Sequence, residues 1–197
     1  MSKNINPQDF QDQPQKWALF FSGRGNNMRA LLRVHPEGAP RPFLVCNNAK
    51  AEGIAKAKEL GYEPHLIKAP YDYKALAQLL QEQGVTHIFL LGYMRIVPSS
   101  FASQWANRIF NLHPSLLPLY PGLDSIKRAF LNHDDIGVTI HHVTEGVDEG
   151  EAVMQKCVFP KGSYSHMTFS EVEDFVHRWE YQMVTEFYLN TLQGQQT

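Results

Sequence analysis

Short apolar runs alternate with helical patterns along most of the chain. Trp17–Phe21 (WALFF) leads into the Gly-rich stretch Ser22–Asn27 and then a helix near Asn27–Val34. Phe43–Cys46 stops at Asn47 and Asn48, ahead of a helix over Lys50–Leu60. A short run at His65–Ile67 precedes a helix over Tyr73–Gln83. His87–Leu91 follows, then a short helix near Val97–Ala106 and a further strand at Ile109–Leu112. Leu123–Leu131 has helical spacing, Gly137–Thr144 and Val153–Phe159 pair as strands around the acidic turn Glu145–Glu151, and a long helix over Phe169–Leu192 follows. Repeated strand–helix units predict an α/β fold: a mainly parallel central sheet with helices on both faces.

The polar punctuation falls in a regular place. Ser22–Asn27, Asn47–Asn48, Gly92–Arg95, Asn111–His113 and Thr144–Gly150 each follow a predicted strand directly. Open α/β sheets bind ligands outside the carboxyl ends of their strands. These five loops are therefore expected to share one cleft.

Composition narrows the class. The chain has 197 residues, 43% hydrophobic and 19% charged, enough for one domain over 16–197 with a sizeable core. Residues 1–15, polar and rich in Asn, Gln and Pro, read as a disordered tail. A formal net charge of -2 exerts no global pull on nucleic acid or anionic membranes. No apolar run reaches transmembrane length and no signal-peptide pattern opens the chain, so a cytoplasmic protein is expected. Cys46 and Cys157 each sit in an apolar strand-like run and read as two buried, reduced thiols. Without Cys-x-x-Cys or His-Glu-x-x-His spacing, no metal site is expected.

Ser22-Gly23-Arg24-Gly25-Asn26-Asn27 has the make-up of an anion cradle. Glycines let backbone amides approach phosphate oxygens, and the helix that follows contributes unpaired N–H donors. Asn26 or Asn27 is placed to cap that helix or to donate to the anion. A dinucleotide fingerprint would need glycine where Met28 stands and an acid where Asn47 and Asn48 stand. A monophosphate or sugar phosphate fits better than NAD or ATP.

The candidate chemistry lies in Phe110–Gly122 (FNLHPSLLPLYPG), a strand end running into a loop braced by Pro114, Pro118 and Pro121. Asn111 and His113 are two apart and share one side of the strand. Asp148, in the acidic turn, can reach an imidazole across the cleft. An amide that cannot titrate suits a developing oxyanion, and a carboxylate beside a His suits proton transfer. No Ser or Cys occupies a nucleophile elbow, so the nucleophile is a substrate, expected to be an amine, and formyl or acyl transfer is direct.

Five segments, SGRGNN, GYMRIV, NLHPSLLPLYPG, VTIHHVTEGVDEG and the late Trp179-Glu180, resemble the phosphoribosylglycinamide (glycinamide ribonucleotide) formyltransferases of purine synthesis. The resemblance runs from about Lys16 to about Leu192. It implies a Rossmann-like formyltransferase fold using 10-formyltetrahydrofolate as co-substrate, with a phosphorylated ribosyl amine as acceptor, in a monomer or homodimer. On this resemblance Asn111, His113 and Asp148 match the catalytic trio. Gly23, Gly25, Asn26 and Asn27 match the substrate-phosphate loop, and Glu180 the acidic residue near the ribose. Met94, Arg95, Ile96 and Val97 match one wall of the folate pocket, with Val143, Thr144 and Val147 opposite. His141 matches a His near the site, while His142 points away by alternation. Lys68, in KAPYD, is a gapped match for an Arg that meets the folate tail.

Several positions depart from the family pattern. Asn26 replaces a Ser, Asp124 stands where His is common, Glu149 and Glu151 add charge to the acidic turn, and His177 occupies a position often Gln. These departures leave room for an amino-sugar nucleotide as acceptor. Delivery of formyl to water, as in a formyltetrahydrofolate hydrolase, and a non-catalytic ligand-binding role also stay open on the sequence.

Overall fold

The computed structural model describes residues 14–194, so nearly all of the tail expected over 1–15 lies outside the described residues. Seven strands form one sheet in the order β3-β2-β1-β4-β5-β6-β7. They are β1 Trp17–Phe21, β2 Phe43–Cys46, β3 His65–Leu66, β4 His87–Leu90, β5 Ile109–His113, β6 Ile136–His142 and β7 Ala152–Phe159. The helices are α1 Asn26–Val34, α2 Glu52–Glu59, α3 Tyr73–Glu82, α4 Ser99–Ala102, α5 Ser125–Leu131 and α6 Phe169–Leu192. Pairing is parallel from β3 through β5 and antiparallel for β5–β6 and β6–β7.

Strand β1 is buried on both faces, as a central parallel strand must be. Its alternation divides the core in two. Trp17, Leu19 and Phe21 pack with residues of α1 and α6 on one face, while Ala18 and Phe20 pack with α3 and α4 on the other. Burial of a side chain such as Phe20 contributes about 1.5–3 kcal/mol. Helix α6 is set by a capping box, in which Thr168 accepts from Glu171 N–H and the Glu171 carboxylate accepts from Thr168 N–H.

The chain builds outward from β1 to β3, then returns to lay β4 on the other side of β1. That reversal opens a crevice at the carboxyl ends of β1 and β4. Among the described residues no helix is long and apolar enough to cross a membrane.

Several local expectations change, among them the following. Cys157 is exposed, because β7 is an edge strand and most of it faces outward, whereas Cys46 on the inner strand β2 is buried. Strand β6 ends at His142 rather than Thr144. Helix α5 begins at Ser125 rather than Leu123, since Asp124 takes a left-handed conformation with φ of 54°.

Candidate active site

One cavity of about 1050 Å³ lies over the crevice, lined from all five of the loops that follow strands. It contains an anion end, a carboxylate-centred cluster and an apolar mouth.

At the anion end, Gly25 is the N-cap of α1 with φ of 65°. A Cβ there would lie 2.7 Å from the Gly53 Cα, so only glycine lets α1 and α2 start this close together. No side chain caps α1, which leaves its first-turn N–H groups for a ligand. The expectation that Asn26 or Asn27 caps the helix is thus corrected: both lie inside α1 and are committed elsewhere. Lys56 donates from Nζ to the Arg24 carbonyl at 2.7 Å and to Asn26 Oδ1 at 2.6 Å. With its oxygen held, Asn26 keeps its NH₂ for another partner. Asn27 donates from Nδ2 to Glu180 Oε2 at 3.0 Å, and His177 Nδ1 reaches the same oxygen at 3.1 Å.

The cluster centres on Asp148. Asn111 and His113 leave β5 on the same side, and the β5–β6 register sets His141 opposite Asn111. Asp148, at φ of 57°, lies in the turn between β6 and β7. Its Oδ2 accepts from Gly122 N–H at 2.8 Å and stands 3.2 Å from His113 Nδ1. Its Oδ1 accepts from Asn111 Nδ2 at 3.2 Å and stands 3.5 Å from His141 Nε2. The turn can fold back onto β6 because Gly150 has no Cβ to strike the His142 carbonyl.

Each imidazole is fixed from its far side. His113 Nε2–H donates to the Tyr120 carbonyl at 2.9 Å, and His141 Nδ1–H donates to the His142 carbonyl at 2.8 Å. Burial opposes the charge on Asp148. Hydrogen bonds from His141 and Gly122 N–H, with the positive charge the two imidazoles can carry, outweigh it and bring the carboxyl down to about 2. His142 turns away and packs on Phe110, ring centroids 4.8 Å apart.

Met94, Ile96, Leu123 and Val147 line the mouth and expose half or more of their surface. Exposed apolar side chains around a cavity mark a surface suited to the apolar part of a ligand. Val97 is buried, and Val143 packs partly into the same side of the core. Ser22 Oγ accepts from Met94 N–H at 2.7 Å and ties the mouth to the anion loop. Arg95 donates from Nε to Tyr71 Oη at 3.2 Å.

The cavity thus gathers Gly23, Gly25, Asn26, Asn27, Met94, Arg95, Ile96, Val97, Asn111, His113, His141, Val143, Thr144, Val147, Asp148 and Glu180. Lys68 is not among its lining residues; it follows the edge strand β3, and its segment meets the mouth through Tyr71, which accepts from Arg95. Lys56 escapes sequence reasoning, because its contact spans 30 residues and has no local pattern. His177 stands out in the sequence only as a departure, although its i,i+3 spacing to Glu180 on one helix is a usable signal. Among the described residues no group of three or more His, Cys, Asp or Glu is arranged to hold a metal ion.

The formyl transferase family model matches residues 15–186. Phosphoribosylglycinamide formyltransferase of Bacillus subtilis (strain 168) is 33% identical over 178 residues, covering 85% of this chain and 89% of that protein. The trifunctional purine biosynthetic protein adenosine-3 of Drosophila pseudoobscura pseudoobscura is 33% identical over 160 residues, 74% of this chain but only 12% of that longer protein. The crystal structure of phosphoribosylglycinamide formyltransferase from Anaplasma phagocytophilum superposes with a TM-score of 0.83 at 27% identity, covering 92% of this chain and 89% of that one. Matched over most of its length in sequence and over the same α/β sheet in space, this chain belongs to the formyl transferase family.

Proposed function

We propose that the chain transfers the formyl group of 10-formyltetrahydrofolate to the amine of glycinamide ribonucleotide. The observation that carries this is the placement of the Asn111–His113–Asp148 cluster in one cavity with the uncapped N-terminus of α1 and an apolar mouth. Phosphate at α1 and a pterin ring at Met94, Ile96 and Val147 leave the acceptor amine and the formyl carbon to meet between them. The relatives' names supply the acceptor; the anion end suits its phosphate, and the apolar mouth suits the folate.

In this reaction the amine lone pair attacks the formyl carbon and the carbonyl oxygen takes up negative charge. Asn111 Nδ2 and the His113 Nε2–H, turned from its resting contact with the Tyr120 carbonyl, stabilise that oxygen; a single such donor is worth about 10²–10³ in rate. Collapse breaks the bond from the formyl carbon to the folate nitrogen, and the proton lost by the amine passes to that nitrogen through water. Asp148 orients His113 and assists the relay. The gain is positional as well as electrostatic, since two bound substrates react as one unit. On this reading the protein acts in the cytoplasm as a monomer or homodimer on small molecules alone.

The test is an assay of 10-formyltetrahydrofolate against glycinamide ribonucleotide, with water alone and an amino-sugar nucleotide as comparisons. Formylated glycinamide ribonucleotide is expected. Equal loss of formyl to water, or preference for the amino-sugar nucleotide, would replace the reading.

A further inference from the structure

Ser22 stands where the anion loop meets the wall of the mouth. It follows β1 directly, lines the cavity and is 7% exposed. The loop around it is fixed, since the Ser22 carbonyl accepts from Asn48 Nδ2 at 3.2 Å and the Gly23 carbonyl accepts from Gly53 N–H at 3.1 Å. Ser22 Oγ accepts from Met94 N–H at 2.7 Å. Met94 lies between β4 and α4, outside any helix or strand, and is 63% exposed. The hydroxyl is thus a support that the anion loop places under the backbone of the mouth.

A hydroxyl has one proton to donate besides the lone pairs it offers. Among the described residues the other buried Ser and Thr hydroxyls, of Thr86, Ser115, Ser125 and Thr139, each donate to a backbone carbonyl. The Ser22 proton meets no acceptor among the described residues. Buried polar groups are satisfied as a rule, and the cavity is the side from which an acceptor for Ser22 can come.

We infer that Ser22 bridges the two substrates: its Oγ–H donates to an oxygen of the phosphoribosyl acceptor, while Oγ goes on holding Met94 N–H in the folate wall. This rests on the two substrates occupying the anion end and the mouth, as proposed above. Hydrogen bonds in a chain strengthen one another, because an oxygen that donates its proton becomes a better acceptor. A bound phosphoribosyl group therefore tightens the contact to Met94 and steadies the exposed wall on which the folate packs. A segment ordered by one ligand costs less to order when the second arrives. The effect is reciprocal, so each substrate raises the affinity for the other by the same factor.

The test uses two ligands that cannot react with each other: ribose 5-phosphate, which has no amine, and 10-formylfolate, the fully oxidised form of the donor. Calorimetry measures affinity for 10-formylfolate with and without saturating ribose 5-phosphate. In the wild type the sugar phosphate is expected to tighten 10-formylfolate about fivefold, and in Ser22→Ala less than about twofold. No tightening in the wild type, or equal tightening in Ser22→Ala, overturns the inference. A second readout needs no variant: hydrogen exchange at the Met94 amide, followed by NMR, should slow when ribose 5-phosphate is added alone. An unchanged exchange rate overturns the inference too, and failure of either ligand to bind does the same. Formylation of glycinamide ribonucleotide is assayed in parallel. Formylation without coupling removes the bridge and leaves the proposed reaction standing; coupling without formylation does the reverse.

Discussion

Asp148 Oδ2 lies 3.2 Å from His113 Nδ1, while the other nitrogen of that ring donates to the Tyr120 carbonyl. The imidazole is held at both ends, by a carboxylate from the β6–β7 turn and a carbonyl from the proline loop. The same carboxylate oxygen accepts from Gly122 N–H, so Asp148 locks the two loops against each other. Orientation of the imidazole and closure of the cavity wall thus depend on one side chain.

Replacing Asp148 with Asn keeps the volume but puts an NH₂ or a neutral oxygen against Gly122 N–H, Asn111 and His113. Turnover is expected to fall by about 10²–10⁴, the range for loss of a proton-transfer partner. Steady-state kinetics across pH checks this. A wild-type rate and pH profile would remove Asp148 from the mechanism.

The same carboxylate makes stability depend on acid. Its folded pKa of about 2 lies below the unfolded value, so its contribution is fully present above the unfolded pKa and is lost as pH falls through the folded one. A depression of this size corresponds to about 2 kcal/mol at neutral pH. Urea unfolding should show a gap between the wild type and Asp148→Asn that is widest near neutrality and narrows between about pH 5 and pH 2. A gap that stays constant across that range would contradict the assignment.

Lys56 acts through the anion loop. Its ammonium holds the Arg24 carbonyl and Asn26 Oδ1 from below, which fixes the loop and aims the Asn26 NH₂. Lys56→Met is expected to weaken phosphate-ester affinity about tenfold, the worth of a charged hydrogen bond. Lys56→Arg should restore part of it. Calorimetry with ribose 5-phosphate reads both, and an unchanged affinity in Lys56→Met would count against the role.

Gly25 offers a sharper structural test. Alanine there must hold a left-handed φ and bring its Cβ to 2.7 Å from the Gly53 Cα. The conformation alone costs about 1–2 kcal/mol, and the contact forces α1 and α2 apart. Thermal unfolding should occur at a lower temperature, with phosphate-ester affinity reduced in the same variant. A protein with unaltered unfolding would show that the loop relaxes without penalty.

Much of the molecule is legible from pattern alone. Helix α6 can be read end to end because its periodicity is long and Thr168 with Glu171 marks its start. The shared cleft follows from five polar loops after strands, Asn111 and His113 from strand alternation, and His141 from the family resemblance. What escapes depends on contacts between segments distant in sequence. Exposure of Cys157 requires knowing that β7 is an edge, and alternation carries no such information. Capping by Asn26 or Asn27 fails because helix α1 starts after a left-handed Gly25, which puts both amides inside it. The Gly122–Asp148 and Lys56–Asn26 bonds join residues 26 and 30 positions apart, beyond the reach of any local period.

The central claim is that an imidazole held by Asp148 stabilises formyl transfer between two bound small molecules. Its most direct test is the turnover of His113→Ala with 10-formyltetrahydrofolate and glycinamide ribonucleotide, alongside its affinity for ribose 5-phosphate. The expected result is a rate lower by about 10²–10⁴ with binding near that of the wild type. Wild-type turnover in His113→Ala would contradict the account.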